Sequence, residues 1–231
     1  MVGRRNLPGI LILAVVVAIA TAAFSVPAPP DLAAIKGNRV PDVELRDENG
    51  ATFHLSDLGG KPILINPIFT RCPHVCPVIT SGLAATLTHT AAPGTHYEAL
   101  TVSFDPHDTP KDLAHYRKKL GLPRGWRLGV ADARNRKMLL DAIDFHVEPV
   151  EGGGFAHPNV VVVLSGNLRV SGLLHGVVFP EKDVRHALQY ATTGDSLVAR
   201  FRPLIAAVMA LSILTVLITL WATRKRGQPA R

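Results

Sequence analysis

The chain has 231 residues, of which 47% are hydrophobic and 19% charged, and a formal charge of +7. Residues 1–30 and 204–231 hold six of the 25 Lys and Arg and no acid, which leaves 19 basic against 18 acidic side chains in 31–203. A nucleic-acid binder concentrates its excess in one patch of the folded domain; here the excess sits beside apolar termini, and that class of function is excluded.

The first predicted element is Leu7 to Val26, a nearly uninterrupted apolar run preceded by Arg4 and Arg5. At about 1.5 Å per residue it nearly spans a hydrocarbon core of about 30 Å. Its basic flank belongs in the cytoplasm, so residues 1–30 are expected to form a basic tip, a membrane anchor and a short Pro-rich spacer from Val26 to Pro30. Ala20-Thr21-Ala22 resembles a small-x-small cleavage site, and the alternative is a signal peptide removed on export. Either choice exports the middle of the chain.

Residues 31–200 form the expected exported domain. Asp42 to Arg46 alternates, turns at Asn49-Gly50 and resumes from Ala51 to Leu55, a hairpin pattern. Pro62 to Phe69 is predicted as a buried strand, Pro77 to Thr90 as a helix and Tyr97 to Phe104 as a second buried strand. Thr109-Pro110, a cap followed by a first-turn proline, starts a helix to Leu120. A short strand is expected over Arg127 to Ala131, then a helix from Arg134 to Phe145. Val160 to Leu164 and Arg169 to Leu174 form a late hairpin around Ser165-Gly166-Asn167, and Glu181 to Tyr190 closes with a helix. Strands alternating with helices, plus a late hairpin, predict a three-layer α/β sandwich with a mixed sheet. A second apolar run, Leu204 to Ala222, precedes Arg224, Lys225 and Arg226. It is expected to be a transmembrane helix over 201–223, with a basic cytoplasmic tail over 224–231.

Cys72 and Cys76 are the only cysteines. They lie in Cys72-Pro73-His74-Val75-Cys76-Pro77, where strand gives way to helix. A helix N-terminus offers free amides and a positive dipole end, which favour a thiolate. Residues i and i+4 share a helical face, so the sulfurs can point together across one turn. The alternative is a static disulfide, but so short a loop removes little entropy from the unfolded chain. A reactive or metal-binding pair is therefore favoured. His74 between the cysteines could lower a sulfur pKa, bind metal or simply be solvated.

Two thiolates do not complete a metal site. His157, ahead of the Val160 strand and after the loose Gly152-Gly153-Gly154 loop, is the candidate third ligand; a solvated loop histidine is the alternative. Thiolates plus imidazole favour Cu(I), with Cu(II) and Zn(II) as further options. In Asp105-Pro106-His107-Asp108, Asp105 is expected to accept backbone amides after the strand, and Asp108 or Thr109 to cap the next helix. A contact of Asp105 with the cysteine site is the other reading.

These residues together resemble the Sco/SenC family of thioredoxin-like, membrane-anchored copper proteins, over roughly residues 38–190. The pieces that match are the hairpin with Asp47 and Gly50, Asp57-Leu58-Gly59-Gly60-Lys61, Thr70-Arg71-Cys72-Pro73-His74-Val75-Cys76-Pro77, and Ser103-Phe104-Asp105-Pro106-His107-Asp108-Thr109-Pro110, with His157 at a late strand. The resemblance implies a thioredoxin-like fold and a copper site made by Cys72, Cys76 and His157. It implies delivery of Cu(I) to, or preparation of, the binuclear copper site of cytochrome c oxidase subunit II, or service to another exported copper or thiol client. It places the chain at a bacterial cytoplasmic membrane with its domain in the periplasm or outside. The chain departs from the family at His74 and Ala156, where aspartates are usual, at the Ser165-Gly166-Asn167 turn, and in its second apolar run. A thiol–disulfide reductase acting through Cys72 and Cys76 is the competing class. A peroxidase is disfavoured, because nothing nearby protects a thiol from over-oxidation.

Overall fold

Strand and helix signals alternate along the chain, and the computed structural model describes residues 26–226, apart from 91 and 152 and the side chains of 194–200, 202 and 218–226. In chain order the elements are α1 (Leu32–Ile35), β1 (Glu44–Arg46), β2 (Thr52–His54), a 3-10 turn at Leu55–Leu58, β3 (Ile63–Ile68), α2 (Val75–Thr88), β4 (Glu98–Ser103), α3 (Pro110–Leu120), β5 (Trp126–Val130), α4 (Ala133–Ala142), β6 (Glu148–Pro149), β7 (Phe155–Ala156), β8 (Val160–Leu164), β9 (Val170–His175) and α5 (Glu181–Arg226). One seven-stranded sheet runs in the order β2-β1-β5-β4-β3-β8-β9, and β6-β7 form a separate ribbon. The fold is the predicted mixed-sheet α/β sandwich, thioredoxin-like in architecture.

The sheet directions decide where the site falls. β3, β4 and β5 are parallel, with Ile68 opposite Ser103 and Ser103 opposite Val130. β8 runs antiparallel to β3, with Ile65 opposite Val162. The C-terminal ends of β3 and β4 therefore share one sheet edge with the N-terminal end of β8. β3 and β8 are buried along their whole length, as strands covered on both faces must be.

Pro67 lies inside β3, although a proline normally marks an edge or a bulge. The Phe104 amide bonds the Ile68 carbonyl and the Glu98 amide bonds the Pro62 carbonyl. Even-numbered positions thus face β4 and odd-numbered ones face β8. The amide that Pro67 lacks would have pointed at β8, whose ladder with β3 ends at Ile65 opposite Val162. The proline thus withholds the next ladder bond, and pairing with β8 stops short of the end of β3.

Local chemistry sets the helix ends. Thr109 accepts the Asp112 amide while Asp112 bonds back to the Thr109 amide, a capping box followed by Pro110 in the first turn. Gly121, at φ +62°, ends α3 in the left-handed region. Thr109, not Asp108, is thus the cap. α2 begins at Val75, two residues earlier than the sequence pattern indicates, so Cys76 lies within its first turn. α1 and the β6-β7 ribbon carry too few residues to show a period.

The last helix does not stop near Tyr190 but runs as one element to Arg226. Val184, Leu188 and Ala191 bury its first part against the domain, whereas Leu204, Ile205, Val208, Met209, Leu211 and Leu214 are more than half exposed. Among the described residues no helix is long and apolar enough to cross a membrane. The apolar run at Leu7 and the side chains at the end of the one from Leu204 lie outside the described residues.

The β8-β9 turn is pinned to the approach of β3: the Gly60 amide donates to the Gly166 carbonyl at 2.7 Å. A Cβ on Gly166 would lie 2.8 Å from the Gly60 carbonyl carbon and 3.0 Å from the Lys61 nitrogen, both backbone, whereas one on Gly172 meets nothing within 4 Å. Gly166→Ala is expected to destabilise the domain by about 2 kcal/mol, of the order seen for overpacking. Gly172→Ala should be nearly neutral. Urea unfolding of the two variants checks the difference.

Candidate metal and thiol site

The loop after β3 carries Thr70, Arg71 and Cys72, the loop after β4 carries Asp105 and Asp108, and the lead into β8 carries His157. Because those three strand ends share one edge, the groups converge. Asp108 clamps two of the loops together. It accepts from the Thr70 amide at 2.7 Å, the Thr70 hydroxyl at 2.6 Å and the Ser103 hydroxyl at 2.5 Å. Asp105 is almost wholly buried, with its side chain 2% exposed, and accepts from Arg71 at 2.5 Å, while His107 contributes its amide at 2.9 Å. Burial alone would raise its pKa; the His107 amide, the Arg71 guanidinium and the His107 ring outweigh burial and hold it below the usual carboxylate range. Asp105 therefore accepts a backbone amide and also reaches the cysteine loop, through Arg71.

Both cysteines are buried and unbridged. The Cys76 amide points at the Cys72 sulfur, 3.4 Å away. The Cys72 thiol is lowered from 9.0 to about 3, chiefly by the hydrogen bond from Cys76 and against burial, with help from His157 and the amides of Cys76 and His74. Cys76 is pushed far up by that same hydrogen bond and by burial. The pair thus holds one proton, on Cys76, and one negative charge, on Cys72. His74 is exposed and acts on Cys72 through its backbone amide.

His157 is buried with Nε2 3.6 Å from the Cys76 sulfur. Its Nδ1 lies 3.1 Å from the Pro158 carbonyl oxygen. With the proton on Nδ1, donated to that carbonyl, the Nε2 lone pair faces the sulfurs as a metal ligand must; with the proton on Nε2 the ring instead donates to the thiolate, the contact that helps lower Cys72. Sulfur at about 2.3 Å and imidazole nitrogen at about 2.05 Å on one tetrahedral ion are separated by about 3.6 Å, so this contact has the span of two ligands of one metal. Among the described residues no group of three or more His, Cys, Asp or Glu is preassembled as a metal cage. The shared thiol proton must leave before both sulfurs can ligate.

Phenylalanines wall the imidazole. Phe69, Phe104 and Phe145 place ring centroids 6.1, 5.2 and 6.0 Å from His157, and Phe155 packs on Phe69 and Phe104. They were not singled out from the sequence, although Phe69 and Phe104 each follow a parallel strand at the edge where the cysteines sit. An apolar cavity of about 700 Å³ opens beside them between Arg71, Pro73, Pro106 and the β6-β7 ribbon.

The charge distribution predicts a reduced protein with one thiolate per chain from neutral pH down to strongly acidic pH, because Cys72 ionises well below an ordinary thiol. Cys76→Ala removes the largest cause and should carry the Cys72 transition back toward the ordinary thiol range; His157→Ala should move it in the same direction by less. Thiolate ultraviolet absorbance against pH measures all three. An unmoved transition in Cys76→Ala contradicts the shared-proton arrangement.

The chain as a whole is similar to proteins of known family and fold. The family model described as SCO1/SenC matches residues 35–189. A candidate electron transfer protein of Aquifex aeolicus VF5 is 38% identical, covering 68% of this chain and 95% of its own, with a TM-score of 0.66. Bradyrhizobium japonicum ScoI with copper bound is 21% identical, covering 66% and 99%, with a TM-score of 0.57. BsSco, described as a Sco-family cytochrome c oxidase assembly protein with a disulfide switch, is 22% identical, covering 68% and 95%, with a TM-score of 0.60. No curated protein sequence matches the chain. On the family match and the 38% identity, the chain belongs to the SCO1/SenC family.

Proposed function

We propose that this protein is a membrane-held, exported copper-handling protein that carries Cu(I) as cargo on Cys72, Cys76 and His157 and passes it on by ligand exchange. The observation that carries the reading is the meeting of the Cys76 sulfur and His157 Nε2 at 3.6 Å, beside Cys72, whose pKa its surroundings lower. Two thiolates and an imidazole form a soft donor set that suits Cu(I) better than zinc, whose fourth position would stay unfilled by these three side chains. The phenylalanine wall keeps water from one side of the site and supplies no competing ligand. The copper-bound ScoI relative supports the cargo. The assembly role of BsSco supports a client in cytochrome c oxidase, and the destination proposed for this chain is the binuclear copper site of subunit II.

In this reading the domain lies outside the cytoplasmic membrane. The exposed apolar side chains from Leu204 to Leu217 surround α5 rather than forming a stripe, as on a helix solvated by lipid. With the N-terminal run as anchor or cleaved signal, residues 31–200 face the periplasm or cell exterior, and 224–231 stay inside. Reporter fusions after Gly37 and after Gly227 are expected to report opposite sides of the membrane; the same side for both contradicts this topology.

Thiol–disulfide exchange is the second reading, favoured by the division of labour between the cysteines. Cys72 is a thiolate nucleophile, and Cys76 is a protonated thiol one turn away that can resolve a mixed disulfide. A Cu(I) titration of the reduced protein separates the two. Wild type is expected to bind one equivalent. His157→Ala should weaken binding by more than the roughly 10–100-fold that losing a second-shell partner costs, yet keep thiol exchange. The double variant Cys72→Ser, Cys76→Ser should lose both. Copper binding that is unchanged in His157→Ala, with exchange retained, puts the reductase reading first.

A further inference from the structure

Directly beneath Cys76 lies a buried polar chain that neither reading uses. The Thr80 hydroxyl donates to the Cys76 carbonyl at 2.8 Å. Having spent its proton there, Thr80 accepts from the Tyr116 hydroxyl at 2.8 Å and from the Asn66 amide at 2.9 Å. Asn66 also lies 3.5 Å from the Thr101 hydroxyl, which accepts the Trp126 indole N–H at 3.0 Å. Thr80, Thr101, Asn66, Tyr116 and Trp126 are each at most 1% exposed. They come from α2, β4, β3, α3 and β5, so the chain ties the first turn of α2 to three central strands and a neighbouring helix.

This is a costly way to fill a core. The Asn66 Oδ1 is buried with no hydrogen-bond partner, and an unpaired buried acceptor costs about 1–3 kcal/mol. Burial pushes the Tyr116 hydroxyl up, with the two cysteines adding to the shift. Tyr116 therefore stays a neutral donor within electrostatic reach of both sulfurs. Apolar residues of similar volume would pack the same space without an orphaned group, so holding Cys76 in place accounts for the polar choice better than stability does.

We propose that Tyr116 and Thr80 are positioning residues that hold the backbone of Cys76 in the thiol arrangement and so set the thiol–disulfide equilibrium of the Cys72–Cys76 pair. A disulfide draws the sulfurs to about 2.05 Å, far inside the separation of a hydrogen-bonded pair. Any share of that contraction taken by Cys76 pulls its carbonyl against the Thr80 hydroxyl, which Asn66 and Tyr116 hold in place. The chain therefore stabilises the dithiol relative to the disulfide. The inference rests on the pair being chemically active but not on copper, and its test contains no metal, so its failure and that of the copper reading are told apart.

The couple is read by equilibration with glutathione. The Cys72 thiolate attacks glutathione disulfide and releases one glutathione thiolate. Cys76 then gives up its proton and displaces a second from the mixed disulfide. Two protein thiols are oxidised while one glutathione disulfide is reduced to two thiols. In Tyr116→Phe and in Thr80→Val the equilibrium constant is expected to shift about fivefold toward the protein disulfide, the scale of one neutral hydrogen bond. Thr80→Ser, which keeps the hydroxyl, should stay within twofold of wild type. Gly166→Ala, which strains the β8-β9 turn at the opposite edge of the sheet, should lower stability without moving the constant. Urea unfolding of oxidised and reduced Tyr116→Phe closes the cycle: the reduced form should lose more stability than the oxidised one. An equal loss in both forms with an unmoved constant, or a shift toward the dithiol, overturns the proposal.

Discussion

The antiparallel entry of β8 beside β3 is the constraint on which the rest depends. Were β8 parallel, His157 would enter at the far edge of the sheet, away from the loop that β3 and α2 make. Pro67 completes this arrangement. By removing one amide on the side facing β8 it ends the ladder early, and the segment from His157 to Asn159 turns over the sheet edge without leaving a donor unpaired at Pro67. Asp108 then fixes the cysteine loop to the neighbouring strand, so two of the three site loops are held by one carboxylate.

Within that frame the chemistry turns on one proton. Two adjacent buried thiols cannot both ionise cheaply, because burial and like charge oppose the second negative charge. The proton stays on Cys76, deeper in the helix, and the charge stays on Cys72, where amides at the start of α2 meet it. A soft cation replaces that proton with positive charge, and an oxidant removes the need for either. On the proposed function, copper loading and disulfide formation draw on the same two sulfurs and exclude each other. The imidazole, oriented by a backbone carbonyl and enclosed by phenylalanines, supplies a neutral donor that adds no charge to the buried site.

Rigidity is spread unevenly around the sulfurs. On the sheet side, Cys76 rests on a chain of buried hydroxyl and amide groups anchored in three strands. On the solvent side, the groove beside Phe69 and Phe155 is bounded by the two-residue strands β6 and β7, with Gly153 and Gly154 both at positive φ in their connection. Short pairing and glycine backbone make that wall the side with less to resist rearrangement.

Much of this was legible in local sequence because local physics decides it. The alternation over Asp42 to Leu55 around Asn49-Gly50 requires a hairpin, Thr109-Pro110 with Asp112 requires a helix start, and the short spacing of Cys72 and Cys76 keeps them together, although only Cys76 lies in α2 and Cys72 sits in the loop before it. Those signals lie within a few residues of one another. The partners that complete the site do not: His157 stands 81 residues from Cys76, Asp105 34 from Arg71 and Tyr116 36 from Thr80. No periodicity carries such a distance. The phenylalanine wall, the Asp108 clamp and the chain beneath Cys76 arise only when strand order and direction bring three loop ends to one edge. The sequence by itself determined which residues could do chemistry; the tertiary structure decided which of them meet, because side chains this far apart along the chain are brought together by the packing of the sheet.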